Sequence, residues 1–101
     1  LLGGLVLAGV AGSASAEDFT AGTVITSMDE RDRYPFVLGI VEGISYDRYV
    51  RDGKEIDGMK CIYEWGMKAE NVMKIYDAFA AFPEYAPAAV VTAMAEKECG
   101  K

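Results

Sequence analysis

The chain of 101 residues carries 16 Asp and Glu against 10 Lys and Arg, a net charge of −6 at pH 7, and no His. An acidic balance argues against nucleic acid and anionic lipid as partners, because both reward clustered Lys and Arg. Without His there is no Ser–His or Cys–His catalysis and no ordinary zinc site, and any response to acid must act through carboxylates, below about pH 5.

Leu1 to Val10 is apolar and small, and it runs into Ala14-Ser15-Ala16. This is the pattern of a signal-peptide h-region followed by an A-x-A processing site. The run is shorter than the roughly 20 apolar residues that a membrane span needs. Cleavage is expected between Ala16 and Glu17, leaving residues 17–101 as an exported domain, periplasmic or secreted and without a membrane anchor. All charged residues lie beyond Ala16, so the mature domain keeps the whole net charge.

The remaining chain reads as helix throughout. Thr20 caps a short helix from Ala21 to Met28, and Ser27 or Asp29 caps the next. Asp29, Glu30 and Asp32 sit where the helix dipole favours acid. Phe36, Val37, Ile40, Val41 and Ile44 then recur at helical spacing. Pro35 is either the first-turn proline of a new helix or a kink after a short 29–33 turn. Gly39 and Gly43, four residues apart, are expected to let a neighbouring helix approach closely. The helix stops at Asp52-Gly53, and a polar loop spans Asp52 to Asp57.

Met59 to Trp65 forms a short helix closed by Gly66. Ala69 to Phe82 is amphipathic, with Val72, Ile75, Tyr76, Phe79 and Phe82 as its apolar stripe. Pro83 and Pro87 punctuate the following turn. Ala88 to Lys97 makes the last helix, with Val90, Val91 and Met94 inward. A domain of this size needs a staple beyond its core, and in an oxidising compartment Cys61 and Cys99 have one intramolecular pairing. The expected fold is all-α: a single domain of four to five helices around one core, stapled by a Cys61–Cys99 disulfide.

Chemistry is sparse. Glu42, Asp47, Glu64 and Asp77 show no catalytic spacing. Asp52, Glu55 and Asp57 lack the alternating oxygen ligands of an EF-hand, and Lys54 stands among them. No phosphate-binding glycine loop is present, and no cofactor or metal is implied. What remains is a surface for protein. Tyr46, Tyr49, Tyr63, Trp65 and Tyr85 are of the type that anchors interfaces, although the same residues also fill the core rims of small helical domains. Tyr46 and Tyr49 stand among mixed charges, which makes Tyr46, Tyr49, Arg51, Asp52, Glu55 and Asp57 the candidate partner-binding set. Flat aromatic faces also make a homodimer an expectation.

The order of these features is familiar. Gly39-Ile40-Val41-Glu42-Gly43 on a long helix precedes a loop and Cys61. The chain then closes through Phe82-Pro83-Glu84-Tyr85-Ala86-Pro87, Ala88-Ala89-Val90-Val91 and a last Cys99. Over roughly residues 29–100 it resembles the small exported immunity proteins of the Rap/Tai family, which neutralise effectors delivered by type VI secretion. A further Cys common before the glycine-bearing helix is absent, and Arg33-Tyr34-Pro35 stand there instead. The resemblance implies a non-enzymatic module that occludes one effector. In architecture alone the chain is also similar to the HdeA-like periplasmic acid chaperones. That likeness implies an alternative, in which acid neutralises the carboxylates and charge repulsion exposes apolar helix faces to unfolded clients. A structural role in the envelope is the third reading.

Overall fold

The computed structural model describes residues 19–101. The signal-peptide reading, with its junction between Ala16 and Glu17, lies outside the described residues. Among them are five helices and no strand: α1 (Ala21–Thr26), α2 (Glu30–Arg51), α3 (Asp57–Met67), α4 (Ala69–Ala81) and α5 (Pro87–Cys99). The all-α class, the helix number and the Cys61–Cys99 bridge agree with the sequence reading.

Local chemistry sets most boundaries. The Thr20 hydroxyl accepts from the Thr23 amide at 3.4 Å, and the Thr23 hydroxyl accepts from the Thr20 amide at 3.1 Å. Each side chain thereby satisfies a donor that the first turn leaves orphaned. The amides of Ala21 and Gly22 donate to the carbonyls of Tyr85 and Pro83, at 2.7 and 2.9 Å, so α1 starts on the turn between α4 and α5. It ends at Thr26 rather than Met28. There the Arg33 guanidinium donates to the carbonyls of Val24 and Ile25 at 3.2 and 3.1 Å, taking up acceptors that end the helix.

Arg33 also lies 5.6 Å from the centre of the Tyr76 ring, a cation–π contact joining α2 to α4. Burial raises the Tyr76 phenol above its ordinary 10.0, against an opposing pull from Arg33. A folded-state value above the unfolded one means that this contribution is complete below pH 10 and lost as pH rises beyond it.

Asp29 caps α2, its carboxylate accepting from the Arg31 amide at 3.3 Å. One helix begins at Glu30 and contains Pro35, so the proline opens no new helix. Its missing N–H falls on an exposed turn of α2. Val37 and Val41 on the inner face meet Val24, Ile75, Phe79 and Val91 in one core. The one buried polar side chain of that core region, Ser45, donates to the Val41 carbonyl at 2.7 Å, which removes the cost of burying it. Phe82 departs from its expected place in the α4 stripe. Its backbone leaves the helix at φ −127°, ψ 61°, and the ring is exposed.

The glycines correct the sequence reading most sharply. Gly39 and Gly43 seat no neighbouring helix: a Cβ on either would meet nothing within 4 Å, and both are exposed. The close approach occurs at α3 instead. Gly66, expected to close that helix, is buried inside it, where a Cβ would run into the Val41 side chain. Gly58 is likewise buried beneath Arg48 and Asp52. These two glycines let α3 lie directly on α2. Because Gly39 lies in open space within a helix, Gly39→Ala is expected to stabilise the fold by about 0.5–1 kcal/mol. A urea titration that shows the variant weaker would mean that this face is already covered.

At the other end Cys61 and Cys99 bridge α3 to α5, with S–S 2.06 Å and Cα–Cα 5.9 Å. Arg48 reinforces that closure. It pairs with Asp52 at 2.8 Å and donates to the carbonyls of Gly100 at 2.9 Å and Cys99 at 3.5 Å. A cation at the C-terminus of α5 also suits the helix dipole.

Candidate protein-binding site

At the end of α2 the helix carries apolar side chains on the side away from the core. Tyr46 is 65% exposed and Val50 53%. The chain then turns through Asp52–Ile56 with Gly53 and Lys54 both left-handed, at φ 67° and 72°. The Lys54 amide donates to the Tyr49 carbonyl at 2.8 Å, which holds a conformation unfavourable for a residue with a Cβ. Ile56 leaves this turn 53% exposed, and Tyr63 is 44% exposed one helix further on.

Between α2 and α3 lies a groove of about 390 Å3. Ser45 and Tyr46 line it from α2, Met59 and Tyr63 from α3, and Ile56 from the turn. Glu42 on the α2 wall and Lys60 on the α3 wall also line it, but almost no polar atom reaches its surface. Neither forms an ion pair among the described residues; the three pairs present are Arg31–Asp29, Arg48–Asp52 and Arg51–Asp47.

The six candidate residues do not form one cluster. Tyr46 lines the groove, and the half-buried Tyr49 stands beside it with ring centres 6.1 Å apart. Arg51 pairs with Asp47 at 2.9 Å in an exposed contact of adjacent helical turns, a type worth little in water. Asp52 is committed to Arg48. Glu55 is exposed in the turn, and Asp57 opens α3 on its opposite flank, with Glu64 and Lys68 in a second, polar groove; Lys60 borders both grooves.

Sequence reasoning missed Val50, Ile56 and Met59 as parts of this surface. Ile56 carried a signal, since it is a large aliphatic residue in an otherwise polar turn. Val50 carried one too, as an apolar residue between Asp47, Arg48 and Arg51 on the side opposite Val37 and Val41. Of the aromatic residues, Trp65 belongs to the core, while Tyr46, Tyr63 and Tyr85 are exposed. Tyr85 meets Phe82 edge to face, with ring centres 6.1 Å apart. That pair lies over a separate shallow depression with Val90 and Met94, whose lining carries no charge.

Among the described residues no three His, Cys, Asp or Glu side chains are placed to hold a metal ion, and no helix is long and apolar enough to cross a membrane. No family model matches the chain, and comparison with curated proteins and with solved structures finds no match.

Proposed function

We propose that this chain is a non-enzymatic protein-binding module, exported to the periplasm or beyond, whose contact surface is the α2–α3 face with its adjoining turn. One observation carries the reading. Tyr46, Val50, Ile56 and Tyr63 are all exposed on neighbouring parts of that face, around an apolar groove. Large apolar side chains gathered beside a concave surface mark interaction sites, whereas scattered ones are ordinary. The resemblance to the Rap/Tai immunity proteins supports a secreted effector as the foreign partner. The net charge of −6 and Glu55, exposed in the adjoining turn, suit a basic one.

The test is capture from an envelope extract on the tagged, oxidised chain, at pH 7 and again near pH 3. One stoichiometric partner is expected at pH 7. Tyr46→Asp should weaken its binding by about thirtyfold or more, as for an interface anchor. Tyr85→Asp, on the other apolar patch, should leave it unchanged. Loss with Tyr85→Asp and not with Tyr46→Asp would move the contact to α4–α5. A broad set of clients captured only near pH 3 would replace this reading with the acid-activated chaperone.

A further inference from the structure

Arg48 stands near the end of α2, and its side chain is only 13% exposed. Every nitrogen of its guanidinium is engaged. Nε donates to the Asp52 carboxylate at 2.8 Å, Nη1 to the Gly100 carbonyl at 2.9 Å and Nη2 to the Cys99 carbonyl at 3.5 Å. Asp52 closes α2 and begins the turn that delivers Ile56 to the groove. Gly58, in the first turn of α3, lies against the same pair, and a Cβ there would strike both the guanidinium and the carboxylate. The end of α5, the end of α2 and the start of α3 thus meet on one ion pair. The backbone bonds of the turn run only to its neighbours: Lys54 to Tyr49, Glu55 to Asp52, and Lys60 back to Ile56. Among the described residues Arg48 alone hydrogen-bonds this corner to the end of α5.

Resting on the reading of the α2–α3 face as protein-binding, we infer that the Cys61–Cys99 bridge switches that face on, with Arg48 as the positioning residue between them. The bridge ties the end of α5 to α3, and so keeps the Cys99 and Gly100 carbonyls where Arg48 reaches them. Opening the bridge releases that end, and a largely buried guanidinium loses the acceptors of both Nη atoms. Unmet donors of a buried cation are costly, so Arg48 turns to water. That movement uncovers Gly58, frees Asp52 and lets Ile56 leave the wall of the groove. Closure reverses each step. Cys61 and Cys99 form their S–S bond by exchange with a disulfide oxidant, whose own S–S bond breaks and which leaves as a dithiol carrying both thiol protons. A reduced chain therefore has no finished contact face, and it becomes competent only in an oxidising compartment.

Amide hydrogen exchange, followed residue by residue by NMR on the oxidised chain and on the chain reduced with dithiothreitol, tests the inference. Reduction is expected to speed exchange at Lys54 and Glu55 at least about tenfold, and to leave both less protected than Ile75 and Phe79 in the core of α4, so that the opening is local. Arg48→Met should give the same rise at the turn with the bridge intact. Reducing that variant should add no more than about threefold there, because the link is already cut. Asp52→Ala cuts the link at its other end, and it decides by the same criterion if Arg48→Met fails to fold. Turn amides at wild-type rates in the oxidised variants would overturn Arg48 as the positioning residue. Turn amides unmoved by reduction, or protected only as well as α4 after it, would overturn the switch: the bridge would then act on nothing local or on the whole fold. Exchange needs no partner, so the two readings fail separately. A coupled turn with no protein captured at pH 7 would strike the binding face alone, and an uncoupled turn with capture that Tyr46→Asp loses would strike the switch alone.

Discussion

Removing the Cys61–Cys99 bridge, by reduction or by replacing both cysteines with Ser, is expected to lower the free energy of unfolding by about 4 kcal/mol. That figure follows from closing a loop across a sequence separation of 38 on the chain-entropy account. Its weight comes from the size of the domain. Small domains have a total stability of about 5–15 kcal/mol, so a bridge of this worth is a large share of it. The bridge also fastens α5, which brings Val90, Val91 and Ala95 into the core. Besides that packing, polar contacts hold its end through Arg48, by way of the carbonyls of Cys99 and Gly100. Urea titrations of the oxidised and reduced chain, followed by far-ultraviolet circular dichroism, give the difference directly. A loss below about 1 kcal/mol would show that packing alone holds α5 and that the bridge adds little to the loop entropy.

Gly66→Val is expected to cost about 3 kcal/mol, and Gly66→Ala about 1–3 kcal/mol, although alanine is the better helix former by about 1 kcal/mol. The sign is decided by space. A Cβ at Gly66 falls on both Cγ atoms of Val41, which is itself fully buried, so the intrusion forces α3 away from α2. The same substitution at Gly39, on the open side of α2, should stabilise. Thermal unfolding of the two alanine variants side by side therefore separates close packing from helix propensity. Shortening the obstructing residue provides the control: Val41→Ala combined with Gly66→Ala should be less damaging than the sum of the single changes, since the two sites are in contact. Strict additivity would mean that α3 is not held against Val41.

Much of the fold was legible because it is written in short-range chemistry. Thr20 and Asp29 were recognisable as caps and the spacing of Val72, Ile75 and Phe79 as a buried stripe, whereas Pro87, read as part of the turn, opens α5. The glycine assignments failed for the opposite reason. Spacing shows that Gly39 and Gly43 share a face, but which face meets a neighbour depends on where the other helices lie. Gly66 resembled a helix terminator because propensity is local, whereas its burial under Val41 is tertiary. The boundaries of α3 moved for the same reason. The candidate site was half legible. Tyr46 and Tyr49 were identified by residue type, but Asp52 could not be removed from the surface set until Arg48 was seen to hold it. Ile56, Met59 and Tyr63 joined Tyr46 only through a turn with two left-handed residues, the second of them a lysine.

The seat of α1 determines when the fold can be completed. Its first two amides bond to the carbonyls of Tyr85 and Pro83, and Gly22 fits against Pro83 with no room for a side chain. Six residues are too few to persist as a helix in water without tertiary support. The first helix of the described residues therefore has no place to settle until the α4–α5 corner has been made and bent into shape. A segment that precedes the corner by about sixty residues thus depends on it for its fixed shape.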